Sequence, residues 1–317
     1  MIVPSNPETI ALAVDTLRAG NLVAFPTETV YGLGGNATSD AAVSRIFKAK
    51  QRPPFNPLIV HVASFEAAEE IGEYTEKARQ LAMHFWPGPM SLVVKRRKKC
   101  RISRLATAGL DTICVRIPAQ PVARAIMNVT GFPIAAPSAN ASGRVSPTQA
   151  LHVDASLGDS VGLILDDGPC EIGLESTVID CSTHEAVILR PGALTVEEIE
   201  ALIGPVTFSD TPTELPVSPG LLASHYAPEA SMRRNVSSIM EGEALLSFGK
   251  HKITGFSKEL NLSPSENLQE AAGNLFSMMQ SLDHAGGTIA VMPIPENGLG
   301  RAINDRLRRA AAPRGGE

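Results

Sequence analysis

The sequence predicts an α/β protein in which a twisted, mixed sheet is followed by a small Rossmann-like unit. Three observations carry this expectation. Residues 1–204 alternate short apolar runs with amphipathic stretches, as strands and helices of one sheet-based fold do. The 26 glycines and 24 prolines follow no collagen-like period, so they call for many turns and argue against a helical bundle. A shorter alternation of the same kind follows a proline-rich stretch, and 317 residues suit two domains of roughly 100 to 200 residues each.

The apolar runs predict strands at 22–25, 58–62, 91–94, 112–117, 133–136, 162–165, 177–181 and 186–189. The amphipathic stretches predict helices at 7–19, 41–50, 65–85, 122–129, 148–157 and 196–203. The last carries a capping box, with Thr195 at the N-cap and Glu198 three residues on. Prolines 205, 212, 216, 219 and 228 mark an extended linker. Beyond it a strand at 244–248 precedes a helix opened by Ser263, with Pro264 at N1 and Glu266 at N3. Its apolar face is Leu268, Ala271, Ala272, Leu275, Met279 and Leu282. A strand at 288–292 and a helix at 301–311 complete the chain. The expected division is 1–204, a linker at 205–229, and 230–317.

A net charge of −5 argues against a protein that coats nucleic acid, which needs a broad cationic surface. Cys100, Cys114, Cys170 and Cys181 include no C-x-x-C pair and predict a reduced, cytoplasmic compartment. The opening MIVPSNPETI has no basic segment followed by an apolar one, and no 18 apolar residues run together, so a soluble protein without export signal or membrane span is expected.

Several motifs fail their context. Gly158-Asp-Ser160-Val-Gly162 spells a nucleophile elbow, but a helix enters the serine and a strand leaves it, the reverse of what the elbow needs. Gly32-Leu-Gly34-Gly-Asn-Ala37 mimics a dinucleotide fingerprint too far from the strand before it, and a tight loop is expected there. Lys95 to Arg101 holds six cations in seven residues, which suits a solvated loop or a contact with a polyanion such as tRNA or the ATP phosphates. The seven histidines show no metal-ligand spacing, and no protein-bound metal is expected.

Polar groups in short loops at strand ends form the remaining constellation, placed where a rigid sheet can aim them. Thr27, Glu28, Thr29 and Tyr31 lie in PTETVYG, and Lys50, Arg52 and Asn56 in KAKQRPPFNPL. His61 ends the following strand, and Arg116 closes TICVRIP. Ser138, Asn140 and Ser142 lie in APSANASG, Ser176 in LESTVID and Arg190 in RPG. Arginines and a lysine beside hydroxyls and amides are what a triphosphate site without a P-loop requires.

The strings PTETVYGL, KxR followed by NPL, HFWPGPMSLVV, VRIPAQP, PIAAPSANASG, GLESTVID and ILRPG, in this order, resemble the YrdC-type threonylcarbamoyl-AMP synthase family over roughly residues 6–203. SPGLLASHYAP and GLGRAINDRLRRAA resemble its long, two-domain form, although the part after residue 229 is shorter than usual for that form. The resemblance implies a YrdC-like catalytic domain and a reaction of L-threonine, bicarbonate and ATP that yields threonylcarbamoyl-adenylate and pyrophosphate. Magnesium would bridge the phosphates, and a downstream tRNA-modifying threonylcarbamoyl transferase would take the product. It implies ATP contacts at Lys50, Arg52, Asn56, Thr112, Ser138, Asn140, Ser146 and Arg190, with Lys50 and Arg52 as the catalytic pair. It implies threonine contacts at Thr29, His61, Arg116, Ala136 and Ser176. His225 and Tyr226 are expected to bring the linker across the site and reach the nucleotide.

Blander readings stand beside these. His61 reads also as a hydrogen-bonded strand-end histidine, Arg116 as half of a surface ion pair, and Lys50 and Arg52 as cations at a helix C-terminus. A carbamoyl-adenylate enzyme of the same fold and an RNA-binding module are the rival functions. Only 14 aromatic residues are available for base stacking, which weakens the second.

Overall fold

Short polar side chains begin most helices by accepting from N–H groups that have no partner within the helix. The structure, a computed structural model, describes residues 1–209, 218, 220, 224–283 and 287–313. β1 (Ile2–Pro4) leads to α1 (Pro7–Arg18), capped by the Asn6 side chain. β2 (Val23–Phe25) and β3 (Gly32–Asn36) are antiparallel and flank the PTETVY segment. α2 (Asp40–Lys50), capped by Ser39, brings Lys50 to its last turn, and β4 (Ile59–His61) follows. Next come α3 (Phe65–Ile71), β5 (Gly72–Glu73), α4 (Glu76–Phe85), β6 (Met90–Arg96) and β7 (Thr112–Arg116). α5 (Pro121–Thr130), β8 (Ile134–Ala135), α6 (Ala150–Leu157) and β9 (Leu163–Asp166) precede β10 (Thr177–Asp180) and β11 (Val187–Arg190). α7 (Val196–Ile203), with the expected Thr195–Glu198 capping box, and β12 (Thr207–Phe208) end this part.

Among the described residues these strands form a twelve-stranded mixed sheet of order β1-β9-β2-β3-β8-β4-β7-β6-β10-β11-β12, with β5 on the side of β6. A second sheet collects β13 (Ser231–Arg234), β14 (Ala244–Ser247), β15 (Glu259–Asn261) and β16 (Thr288–Val291), all parallel and in the order β13-β16-β14-β15. α8 (Leu268–Asp283) and α9 (Leu299–Ala310) accompany it, as in a Rossmann-like unit. The predicted apolar face of α8 is inside: Ala271, Ala272, Leu275, Met279 and Leu282 are buried, and Leu268 packs partly buried against the same core. Each large side chain so buried contributes about 1.5–3 kcal/mol. The same core takes in Val30, Val145 and Leu174 from the first part of the chain, so the two sheets share apolar contacts.

Three expectations about elements are corrected. The helix over 65–85 is two helices. Gly72 pairs with Arg96 in β5, where a Cβ would meet the Val94 side chain at 2.6 Å, and Thr75 starts α4 afresh as its own N-cap. Residues 32–36 are a strand and not a tight loop. Glycine at 34 lets β3 lie against Phe25, whose ring a Cβ would meet at 2.5 Å. α8 begins at Leu268 and not just after Ser263, because Glu266 takes φ +61° and breaks the helix there. Asn267 caps it, its Oδ1 accepting from the N–H groups of Gln269 and Glu270 at 2.8 and 3.0 Å. Pro212, Pro216 and Pro219 of the linker lie outside the described residues, as do Leu221 and Leu222.

Candidate active site

Strand directions bring the polar loop residues to one end of the large sheet. β4 and β7 run parallel with His61 beside Arg116, so both side chains leave the sheet at the same carboxyl end. β6 is antiparallel to β7 and parallel to β10, which puts Ser91 and Ser176 at that same end. β11 runs back against β10 and ends there on Arg190. Gly192 makes room for the crossing, since a Cβ on it would fall 2.5 Å from the backbone of Glu175, Ser176 and Thr177.

One half of the site is organised by Arg116. Its Nη2 donates to Glu28 Oε1 at 2.6 Å, Nη1 to Thr29 Oγ1 at 2.9 Å and Nε to the Gly88 carbonyl at 3.3 Å. Both partners of the ion pair are buried, so Arg116 is not the surface pair that the blander reading offered. Glu28 also accepts from the backbone N–H groups of Ala119 and Gln120, at the start of α5. Thr27 and Thr29 share a hydroxyl contact of 2.8 Å. Beside them, burial and the neighbouring Arg116 push the His61 imidazole down to about 3, which keeps it neutral, and its Nδ1 has no partner among the described residues. Ala136 lines this half as well, its N–H donating to the Ile59 carbonyl at 3.0 Å.

The other half is cationic. Lys50 is buried, and its ammonium donates to the carbonyls of Ser138 (2.5 Å) and Asn140, which ties α2 under the APSANASG loop. Arg52 is clamped by the Asn56 carbonyl at 3.0 Å, Asn56 Oδ1 at 2.6 Å and the Pro57 carbonyl at 2.8 Å. Burial disfavours the charge on both, and for each a neighbouring arginine adds to it, Arg52 beside Lys50 and Arg190 beside Arg52. A buried cluster of like charges of this kind is stabilised by an anion. Arg190 Nη2 reaches the Ser176 carbonyl and hydroxyl at 2.9 and 3.2 Å, and Ser176 Oγ meets Ser91 Oγ at 2.8 Å. Ser146 donates to Glu175 Oε1 at 2.5 Å, and the Asn140 amide donates to the carbonyls of Ala141 and Arg144.

The pocket where the halves meet is lined by Thr29, Arg52, His61, Arg116, Ala136, Ser138, Ser176, Arg190, His225 and Tyr226, all anticipated from the sequence. Lys50, Asn56, Asn140 and Ser146 stand behind that lining and hold it. Thr112 does not join them: it sits at the opposite end of β7, in a groove with Lys95, Arg97 and Lys98. The basic run is there too, with Arg96 donating to the Cys100 and Ile102 carbonyls and the chain around it exposed, which suits a solvated loop. Glu175 and Arg306 are structural members of the site that the sequence reading did not single out, and Glu28, which it named in PTETVYG, was given no partner. The carboxylates were visible inside PTETVYG and LESTVID, but nothing in those strings reveals their partners.

His225 and Tyr226 fill much of the pocket, leaving a cavity of ≈ 40 Å³, room for a few waters. Tyr226 is fully buried, and burial, with Glu175, raises its pKa, so its hydroxyl stays protonated.

Residues 15–192 match the profile of the family described as "Telomere recombination", which groups Sua5, YciO and YrdC, and residues 194–312 match the one described as "Threonylcarbamoyl-AMP synthase, C-terminal domain". The chain is 40% identical over 327 residues to a threonylcarbamoyl-AMP synthase of Pyrococcus abyssi, covering 96% of this chain and 94% of that one. The chain belongs to the threonylcarbamoyl-AMP synthase family. A family member from Bacillus subtilis is likewise 40% identical over 330 residues, covering 98% of this chain and 95% of its own. The crystal structure of P. abyssi Sua5 complexed with L-threonine superposes with a TM-score of 0.90 at 38% identity, over 98% of this chain and 96% of that one. Both sheets are therefore those of the long form of the family, and the length after residue 229 does not set this chain apart. No helix of the described residues is long and apolar enough to cross a membrane.

Proposed function

We propose that this chain condenses L-threonine, bicarbonate and ATP into threonylcarbamoyl-AMP and pyrophosphate in the pocket between Arg116 and the Lys50–Arg52–Arg190 cluster. The observation that carries this reading is the placement of three buried cations from two segments, the end of α2 and the end of β11, against a second polar pocket with its own buried arginine. One wall suits a triphosphate and the other a zwitterion.

Arg116, aimed by Glu28, takes the threonine carboxylate. Thr29 and Ser176 offer hydroxyls, Ala136 its backbone, and neutral His61 a hydrogen bond without adding positive charge. The deprotonated threonine amine attacks the bicarbonate carbon, giving a carbamate and water. A carbamate oxygen then attacks the α-phosphorus, the bond from that phosphorus to the bridging oxygen breaks, and pyrophosphate leaves. The nucleophile and its target are both anionic, so positioning and charge neutralisation supply most of the acceleration. Lys50, Arg52 and Arg190 provide the charge, while Asn56, Ser138, Asn140 and Ser146 set the loops. A magnesium ion would supply further charge neutralisation and would be brought by the nucleotide, since Glu175, the carboxylate among the described residues that line the pocket, is already engaged by Ser146 and Arg306. Thr112 shares a sheet face with Arg116, because alternate residues of β7 point the same way, so a nucleotide laid along that face would extend toward it.

The product, a mixed anhydride, passes to a tRNA-modifying transferase in the cytoplasm, and the exposed cations at 95–101 are available for tRNA. The division into a catalytic domain at 1–204, a linker at 205–229 and a C-terminal domain at 230–317 belongs to the same reading. Pyrophosphate release from ATP should require threonine and bicarbonate together, and equal release with threonine omitted would overturn the assignment.

The linker acts as a lid. Pockets for ligands of this size hold roughly 300–1,000 Å³, so ATP displaces His225 and Tyr226 on entry, and their return excludes water from the anhydride. Tyr226→Ala should weaken synthesis several-fold and leak product to hydrolysis; unchanged yield and unchanged cleavage around Ser224 with and without ATP would reduce the linker to a tether. Truncation after Gly204 is a poorer test, because it also uncovers Val30, Val145 and Leu174.

A further inference from the structure

We propose that Ile59 and Ala136 are specificity-determining residues that form an apolar seat for the side-chain methyl of threonine and so separate it from serine. The inference rests on the reading of this pocket as the site of adenylation, with Arg116 as the partner of the amino-acid carboxylate. β4 and β7 run parallel, and Ile59 stands beside Cys114 as His61 stands beside Arg116. Alternate residues of a strand share a face, so these four side chains make two rows on one face of the sheet. The antiparallel pairing of β4 with β8, Val60 beside Ala135, extends the Ile59 row to Ala136, whose N–H donates to the Ile59 carbonyl at 3.0 Å. The rows lie two residues apart along the strands, roughly 6.6 Å. An amino acid held by its carboxylate at Arg116 therefore spans from a polar row to an apolar one, and His61, Arg116, Ile59 and Ala136 all line the pocket.

The two substituents on the β-carbon of threonine suit different rows. Around the His61–Arg116 row stand the Thr29 and Ser176 hydroxyls and the His61 imidazole, whereas the side chains of Ile59 and Ala136 hold no hydrogen-bonding group. A hydroxyl laid against those two side chains would give up water and gain no partner, while a methyl there gains by leaving water. The seat is also firm. Ile59 packs with Val93, Cys114, Val178 and Leu189 in one buried cluster, and the Cys114 thiol, kept protonated by burial, acts there as a small apolar group. A Cβ on Gly32 would meet the Ala136 Cβ at 3.4 Å, so the β3 backbone bounds the seat on the side away from β7. A floor packed in this way cannot collapse onto serine, which leaves the place of the methyl empty.

The test measures kcat/KM for L-threonine, L-serine and L-allo-threonine as pyrophosphate release by the full chain. Ratios between substrates are taken within one preparation, so a variant that folds only in part still gives a valid ratio. The wild-type chain should favour threonine over serine by roughly 10- to 200-fold, the worth of one methyl in an apolar pocket. It should disfavour allo-threonine, which exchanges the methyl and the hydroxyl, at least as strongly as serine. Ile59→Ala should cut the threonine-to-serine ratio by about fivefold or more, and the milder Ile59→Val by less. Ala136→Val fills the seat and should turn the preference toward serine. A wild-type preference under about tenfold, or an Ile59→Ala ratio lowered by less than about fivefold, overturns the proposal and puts the methyl elsewhere. A preference for threonine undiminished in Ala136→Val overturns it as well. If the wild-type chain releases no pyrophosphate with threonine, bicarbonate and ATP, the reading of the site fails, and this inference with it.

Discussion

Arg116→Ala is expected to lower the unfolding free energy by about 3–5 kcal/mol and to remove threonine-dependent pyrophosphate release. The first effect arises because the change leaves Glu28 as a buried carboxylate whose remaining contacts are two backbone N–H groups. The second arises because threonine would lose the carboxylate partner proposed for it. A fall of roughly 10 °C in melting midpoint accompanies a loss of this size in a chain of this length. Pairing Arg116→Met with Glu28→Gln separates the two effects: stability should return and threonine binding should not. Threonine affinity within twofold of wild type in the paired variant would show that the carboxylate binds elsewhere.

Arg52→Ala and Arg190→Ala are each expected to cut kcat/KM by roughly 10- to 150-fold, the equivalent of a charge-assisted contact of about 1.5–3 kcal/mol. Arg190→Lys should also fail substantially, because an ammonium cannot reproduce the fork that grips the Ser176 carbonyl and hydroxyl and, in the proposed site, also serves the phosphates. For Arg52 part of the loss comes from the loop at 52–57, which the guanidinium ties together through Asn56 and Pro57. Losses in the double variant should fall short of the product of the singles, since in the proposed site both cations act on one triphosphate. Steady-state pyrophosphate release over a range of ATP concentrations measures this, and near-normal turnover in both single variants would show that the nucleotide is misplaced.

The sequence marks most of the pocket because its residues lie in short loops between strands, where a polar side chain has no core to join. Ten of the residues anticipated for substrate contacts line one cavity. Thr112 departs from the rest for a geometric reason: four residues of extended chain, roughly 13 Å, separate it from Arg116, and a motif that reads TICVR does not say which end of the strand meets the ligand. The 65–85 segment misleads in a related way. Its apolar period continues through Gly72, but pairing of Gly72 and Glu73 with β6 outweighs helix continuation there.

What the sequence determines by itself is therefore local. The Thr195–Glu198 capping box, the apolar stripe of α8 and the order of the loop motifs each depend on residues a few positions apart, whose hydrogen bonds and periodicity are legible in one dimension. What only the tertiary structure decides is which charges meet. Glu28 finds Arg116 across 88 residues and Glu175 finds Arg306 across 131, because sheet order and the docking of α9 bring them together. A buried charge is tolerated only where a partner is delivered to it, and that delivery is a property of the assembled fold.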